Sequence, residues 1–180
     1  MTVIWSLEEY AEKLISFVRP GISTMSTKTE IYEGEITLSH LFAVPREIVF
    51  RAFTVPTLLA QWWGPKGYIN PVCELDPRPQ GEILIHMTAP DGTSNRLTGQ
   101  FISIRTDEIV FTMDARDIAG AVLLESRTTI ELEDLGTDTN LTLNTVAVGR
   151  VPIAVQMIEG MESGWMQSFD RLGELLMLMK

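Results

Sequence analysis

The 180-residue sequence contains one cysteine, Cys73, and two histidines, His40 and His86. A single cysteine excludes an internal disulfide, and neither histidine has a second histidine or cysteine at metal-ligand spacing. We therefore expect no metal and no other cofactor. Cys73 precedes the acidic residue Glu74. Because acidic neighbours raise the pKa of a thiol, we expect Cys73 to pack rather than to act as a nucleophile.

Positive charge is also scarce. The chain has 14 lysines and arginines against 24 aspartates and glutamates, a formal net charge of -10. Such a chain repels nucleic-acid backbones and anionic membrane surfaces at long range. No apolar run reaches the length of a membrane span, and the N-terminus is acidic where a secretory signal would be basic. We therefore predict a cytoplasmic protein whose partners are neither nucleic acid nor membrane.

The N-terminal residues carry a separate helical signal. Ser6 and Glu9 form a capping box, and an apolar stripe follows at helical spacing. The stripe consists of Leu7, Tyr10, Ala11, Leu14, Ile15 and Val18. We interpret residues 1–30 as a helix and linker, with Met25 as an alternative start, and residues 31–180 as one domain. A helix this short is marginal alone, so the stripe is predicted to form a homodimer or to dock on its own domain.

Apolar and polar residues alternate from Glu33 onwards, which is the period of half-buried strands. The predicted strands cover residues 36–42, 72–76, 82–88, 97–104, 108–113, 127–133 and 140–148. Two short helices, begun at Pro45 and Pro56, follow the first strand. Turn residues at 90–92 and 135–138 predict hairpins, and no later connection is long enough for a helical crossover. The pattern therefore predicts a largely antiparallel sheet.

The last quarter of the chain, residues 151–180, predicts one long amphipathic helix. Its apolar stripe consists of Ile158, Met161, Trp165, Phe169, Leu172, Leu175, Leu176 and Met179. This spacing places the stripe on one face, which must be buried. Gly160 and Gly164 lower the helix propensity there and allow a backbone or a ligand to come close. A helix that closes over a curved sheet makes a pocket.

Several local motifs are shared with a known group of proteins. The motifs are Phe42–Phe53, Gln61–Pro65, Leu75–Pro79 before Gly81, Gly164–Trp165 and Asp170–Leu172. With them, residues 36–176 resemble the START-like (SRPBCC) superfamily, and within it the domain of the activator of heat-shock-protein-90 ATPase. The resemblance implies an α+β helix-grip fold of the START and Bet v 1 type, with an apolar cavity between the sheet and the C-terminal helix. Gln80 departs from the motif, because a glycine is usual there.

The resemblance and the aromatic and methionine content together predict a site for a small hydrophobic molecule. The predicted lining is Trp63, Ile85, Phe101, Met113, Met161 and Trp165. The same kinds of side chain could instead fill the interior completely, and both interpretations stay open. The apolar segment 118–124 is predicted either to cover the mouth of the cavity or to form an edge strand.

Binding without catalysis is the function we favour from sequence, and two alternatives remain. The resemblance suggests a chaperone-related protein-interaction module with a role in the stress response. A cyclase or hydrolase would need a polar group inside the pocket, and only His40 qualifies, although a hydrogen-bonded core histidine is the commoner case. The carboxylates Glu74, Asp76 and Glu82 could support acid–base chemistry, but Arg78 lies close enough to pair with them at a solvated sheet edge.

Overall fold

The computed structural model describes residues 30–180, and this part of the chain contains seven strands and four helices. The strands are β1 (Tyr32–Phe42), β2 (Ile69–Leu75), β3 (Glu82–Thr88), β4 (Ser94–Arg105), β5 (Glu108–Arg116), β6 (Val122–Asp134) and β7 (Thr139–Gly149). The helices are α1 (Arg46–Thr54), α2 (Pro56–Trp62), α3 (Ile153–Glu159) and α4 (Met161–Leu178). The predicted N-terminal helix and linker, and the dimer contact assigned to them, lie outside the described residues.

The strands form one antiparallel sheet in the order β1-β7-β6-β5-β4-β3-β2. Residues alternate between an inner face under the helices and an outer face, as in β7, where the odd-numbered residues are buried. Helix α4 buries its apolar stripe against the inner face, from Phe169 to Leu176. The predicted hairpins at residues 90–92 and 135–138 are present. The α+β helix-grip fold predicted from sequence is confirmed.

The connection between β5 and β6 is shorter than the sequence suggested. Strand β6 begins at Val122, inside the apolar segment, and it lies in the middle of the sheet rather than at its edge. Asp117 closes the remaining loop, because its carboxylate accepts hydrogen bonds from the backbone N–H groups of Ala119 (2.9 Å) and Ala121 (2.8 Å). Ile118 points fully into solvent. The loop therefore turns on itself, and neither sequence expectation for this segment was right.

The predicted single C-terminal helix is in fact two helices, and this part of the prediction was wrong. Helix α3 ends at Glu159 and α4 begins at Met161. Gly160 lies at the break, where its N–H donates to the Gln156 carbonyl at 2.9 Å. Glycine weakens a helix by about 1 kcal/mol relative to alanine, and helix bends commonly occur at such residues. The apolar stripe packs on two clusters: Ile158 and Met161, on either side of the break, pack on a small cluster, and the residues from Trp165 onwards pack on the main core.

Candidate functional site

The interior contains a void of about 10 Å³ between the inner face of the sheet and helices α1 and α2. Its lining is entirely apolar: Phe53, Leu59, Trp63, Leu75, Ile83, Ile85, Phe101, Ile109, Phe111 and Met113. A space of this size holds at most about one water molecule, and apolar voids stay dry. This void is therefore too small for a ligand as it stands, and it lies where the two short helices meet strands β2–β5.

The structure separates the six residues predicted to line the ligand site. Trp63, Ile85, Phe101 and Met113 all line the void. Trp165 lies beside it, with its ring packed edge-on against Trp63 at a centroid distance of 5.2 Å. Met161 packs elsewhere, on the smaller apolar cluster under α3. The role of these six residues in ligand binding stays a prediction, while the geometry places four of them on one surface.

Aromatic rings form a continuous row beneath α4. Phe169 contacts Trp165 at a centroid distance of 5.9 Å, Trp165 contacts Trp63, and Trp63 contacts Phe111 at 6.0 Å. Pairs at these distances and tilts are favourable beyond their simple burial. The row connects the void wall to the centre of α4.

His40 extends this aromatic row at its far end. Its ring lies 4.5 Å from the Phe42 ring and 6.0 Å from the Phe169 ring, measured between centroids. No hydrogen bond joins its imidazole to another described residue, whereas the sequence favoured a hydrogen-bonded core histidine. His40 does not line the void. The residue that the enzyme alternative required is therefore packed against phenylalanines, away from the space a substrate would occupy.

A buried polar pair on the inner face escaped the sequence analysis. The hydroxyl oxygens of Thr128 on β6 and Thr145 on β7 lie 2.9 Å apart, and both residues are almost fully buried. Nearby, the Ser126 hydroxyl donates to the Met113 carbonyl at 3.0 Å. Strand alternation alone places both threonines on the inner face, so the sequence pattern could have indicated this buried pair. These hydroxyl groups satisfy one another or the backbone, as buried polar groups generally do.

Two side chains bind the C-terminal end of α2. The Arg171 guanidinium on α4 donates to four backbone carbonyls within a short segment. The acceptors are Gln61 (2.8 Å), Trp63 (3.2 Å), Gly64 (2.9 Å) and Pro65 (3.0 Å). The Asn70 amide adds hydrogen bonds to Ala60 (3.0 Å) and Trp63 (2.8 Å). We call these contacts of Arg171 and Asn70 the α2 clamp.

The clamp explains two of the sequence motifs physically. The carbonyls at the end of a helix have no partners within it, and a cation there also meets the negative end of the helix dipole. Arg171 supplies both the donors and the charge, and its partial burial lowers the pKa of its guanidinium from the usual value. The motifs around Trp63 and Arg171, far apart in sequence, therefore meet in one structural contact that positions the void wall.

Gln80 lies in a turn next to the sheet edge, at the position where the family resemblance has a glycine. Gln80 has φ of +65°, a left-handed conformation that is strained for a residue with a side chain. Its N–H donates to the Phe101 carbonyl at 2.7 Å, which holds the turn against β4. The Gln80 backbone therefore adopts a conformation that glycine adopts without strain.

The charged residues that the sequence predicted at a solvated sheet edge are indeed exposed there. Arg78 pairs with Asp76 at 2.8 Å, and both are well exposed. Glu74 and Glu82 are exposed on the adjoining strands, and no acid–base pair is formed. Cys73 is half-buried in the edge strand β2, and burial raises the pKa of its thiol to about 11. A thiol with that pKa is mostly protonated at neutral pH, which is unfavourable for a nucleophile.

Within residues 30–180, no three histidine, cysteine or acidic side chains are grouped so that they could hold a metal ion. None of the helices in this described region has the length and hydropathy needed to cross a membrane.

A family model described as "Activator of Hsp90 ATPase homolog 1-like protein" matches residues 43–177. The chain belongs to this family. The family in turn falls within the SRPBCC, or START-like, superfamily. The match spans α1 to the end of α4 and includes the α2 clamp and the whole lining of the void. No curated protein matches the chain significantly.

Solved structures of several proteins share this fold. The AHSA1 protein from Silicibacter pomeroyi is 26% identical, with a TM-score of 0.70, and the match covers 82% of this chain and all of that one. A protein from Nitrosomonas europaea is 28% identical with a TM-score of 0.67, covering 80% and 94% of the two chains. A protein from Arthrobacter aurescens is 25% identical with a TM-score of 0.69, covering 79% and 85%. These matches extend the family resemblance across the described domain.

Proposed function

We propose that this protein binds a small hydrophobic molecule between its sheet and C-terminal helix, without catalysing a reaction. The observation that supports this proposal is the void itself, because all ten side chains around it are apolar. Ligand sites for apolar molecules are lined mainly by such aromatic and aliphatic groups. The lining offers no nucleophile, acid or base, which is why we favour binding over catalysis.

The void is too small to hold a ligand without a change in the interior. At about 10 Å³ the space is far smaller than the roughly 300 Å³ of a typical ligand pocket. A guest must therefore enlarge the interior as it binds. Met113 is well suited to this change, since methionine adapts its shape readily and Met113 lines the space. We assign Trp63, Ile85, Phe101 and Met113 to the lining, and Trp165 and Met161 to the enlarged space.

A thermal-shift screen of fatty acids, sterols and aromatic polyketides tests the proposal. A ligand at a hundred times its dissociation constant adds about 2.7 kcal/mol to the free energy of unfolding, so a binder is readily detected. Met113→Phe adds volume at the void and is expected to abolish the shift. Met179→Phe makes the same substitution at a half-buried residue that does not line the void, and it should leave the shift intact.

Circular dichroism of both variants would confirm that they fold. Retention of the full shift in Met113→Phe would place the ligand outside the void, and absence of a shift with all three compound classes would count against the binding function.

A protein-interaction function is the second candidate, and the family description favours it because it names an ATPase activator. We infer that such a partner would be a chaperone or another protein, as the family description suggests, and we propose that both are cytoplasmic. A role in the stress response and a homodimer formed through residues 7–18 belong to the same proposal. Charge substitutions on the outer sheet face should then alter partner capture, whereas Met113→Phe should not.

A further inference from the structure

A row of five residues crosses the outer face of the sheet, from β2 to β6. Residues that are directly opposite in neighbouring strands share a face, so the ladder register defines this row. Its members are Val72, His86, Arg96, Arg116 and Val122, in that order across the strands. Their chain neighbours Ile85 and Leu97 are buried in the core, which places the row on the opposite, outer face. We call His86, Arg96 and Arg116 the basic row.

The basic row is unusual in a chain with a formal net charge of -10. Arg96 and Arg116 lie directly opposite each other on β4 and β5. Like charges at such positions are destabilising, because their Cβ atoms are only about 5 Å apart. Violations of a local rule of this kind occur mainly where function compensates for them. We therefore expect the row to face a group of opposite charge.

Arg116 is held in a fixed position on this face. Its Nε–H donates to the Thr98 hydroxyl at 3.1 Å, and its terminal N–H groups donate to the Asp114 carboxylate at 2.7 Å and the Gly120 carbonyl at 2.9 Å. Among the described residues, these bonds use three of the five N–H donors of the guanidinium and leave two for a further acceptor. Arg96 is exposed, and no hydrogen bond or ion pair joins it to another residue in the described part of the chain.

The carboxylates near the row leave Arg96 without competition. Asp114 and Glu125 are each ion-paired with another arginine. Glu74 lies on β2, two strands from Arg96, which corresponds to about 10 Å. Charges at that distance are largely screened at physiological ionic strength, where the Debye length is about 8 Å. Arg96 therefore gives this surface a local positive charge, although the whole chain is acidic.

Apolar side chains border the basic row. Val72 and Val122 occupy the two ends of the row of five, and Leu84 lies beside His86 on the same face of β3. All three apolar side chains are only partly buried. The surface therefore suits a segment that is both acidic and apolar rather than a small anion.

Residues 7–18 of the same chain have this combination. In the predicted N-terminal helix, Glu8 and Glu12 are four residues apart and lie on one flank of the apolar stripe. Side chains at this spacing are about 5–6 Å apart, close to the strand spacing of about 4.8 Å that separates Arg96 from Arg116. Glu9 falls on the side of the helix opposite the stripe. Two carboxylates and two arginines thus match in charge and in spacing.

The chain is long enough to bring this segment to the row. The described structure begins at Glu30, next to β1. Residues 19–29 span up to about 36 Å when extended. Arg116 lies three strands from β1, which is about 14 Å across the sheet. A segment tethered in this way has an effective concentration on the order of 1 mM, which favours docking on its own chain over docking on a second copy.

We propose that residues 7–18 dock on the basic row of their own domain. Glu8 and Glu12 pair with Arg96 and Arg116, and the apolar stripe packs against the three apolar side chains that border the row. The segment then buries its stripe without a second subunit, so the homodimer through residues 7–18 is the competing arrangement. This inference does not depend on ligand binding in the interior.

Hydrogen exchange of the full chain, followed by mass spectrometry, tests the docking. The amides of residues 7–18 should exchange at least about tenfold more slowly than those of residues 23–28, because docking protects a helix that is marginal alone. Equal exchange rates in the two segments would overturn the proposal.

Charge reversal on the sheet identifies the surface. Arg96→Glu replaces an attraction with a repulsion, and we expect the exchange of residues 7–18 to accelerate at least about fivefold. Arg127→Glu is the matched control, since Arg127 is exposed on the outer face of β6, opposite Thr112 and outside the row. The control should change the rate by less than about twofold. Equal effects of the two variants would mean that total charge, and not the row, attracts the segment.

Charge reversal in the segment supplies the complementary test. Glu8→Lys/Glu12→Lys should accelerate exchange as Arg96→Glu does, whereas Glu9→Lys should stay close to the unmodified chain. Combining Glu8→Lys/Glu12→Lys with Arg96→Glu should recover part of the protection, because opposite charges again face each other. The absence of any recovery would overturn the assigned pairing.

Sedimentation velocity separates this arrangement from the homodimer. The unmodified chain should sediment as a monomer. A dimer that dissociates in Glu8→Lys/Glu12→Lys would overturn docking within one chain and would support the homodimer instead.

Discussion

Helices α3 and α4 carry one continuous apolar stripe in sequence, yet they are attached to the sheet in different ways. Helix α4 is fixed by the α2 clamp, in which Arg171 donates to four carbonyls. Helix α3 lies on Gly34 and Gly149 and has no comparable polar contact among the described residues. Hydrophobic burial is non-directional, while hydrogen bonds specify position. The comparison shows that two segments of similar amphipathicity can be attached to the rest of one domain in different ways.

Removal of Arg171 should produce the largest loss of stability. In Arg171→Ala, the carbonyls of Trp63 and its neighbours lose their charged donor, and we expect the free energy of unfolding to fall by about 3 kcal/mol. Urea denaturation measures the change. Arg171→Lys should recover only part of the loss, because an ammonium cannot reproduce the planar guanidinium.

Arg51→Ala is the matched control for this prediction, since Arg51 is an exposed arginine on α1. Its effect should stay within about 0.5 kcal/mol. A similarly small effect for Arg171→Ala would show that the clamp does not distinguish α4 from α3.

The threonine pair of β6 and β7 should have an intermediate effect. Thr145→Val leaves the Thr128 hydroxyl buried without its partner, so we expect a loss of about 1–2 kcal/mol. The double variant Thr128→Val/Thr145→Val removes both hydroxyl groups and should be nearly neutral. A double-mutant cycle by urea denaturation measures the coupling. Additive losses in the double variant would mean that each hydroxyl has a partner other than the opposite threonine.

The smallest effect should come from the strained turn, which is remote from both helices. Gln80→Gly relieves the left-handed backbone at φ of +65°, and we expect a gain of about 1 kcal/mol in the free energy of unfolding. Gln80→Ala keeps the strain and should give no comparable gain. The same denaturation series measures both variants. A loss of stability in Gln80→Gly would show that the Gln80 side chain has a contact that compensates for its backbone.

Local patterns were sufficient to predict most of the fold. Alternation from Glu33 to Val148 predicted the strands, and turn residues such as Gly92 and Gly136 predicted the hairpins, because both signals depend on neighbours in sequence. The helix break was harder, since Gly160 and Gly164 look alike in sequence but only Gly160 lies between the two helices. That distinction depends on tertiary contacts.

The candidate site could be predicted only in part, for the same reason. Trp63 and Met113 lie on one surface because the fold brings α2 and β5 together, and their role in binding stays a prediction. Met161 was grouped with them through helical periodicity, which indicates a buried face without indicating what covers it. The size of the void could not be predicted, because small differences in the packing of many side chains decide it.

Trp63 forms one side of the void, and hydrogen bonds to its backbone hold it in place. Its indole ring borders the void, and its backbone carbonyl receives hydrogen bonds from both Asn70 and Arg171. The ring cannot retreat without disturbing two other elements, so an incoming molecule gains width only on the opposite side. The side opposite Trp63 then limits the size of a molecule that could bind as we propose, because only that side can move. A flat compound stacked on the indole ring would need the smallest movement.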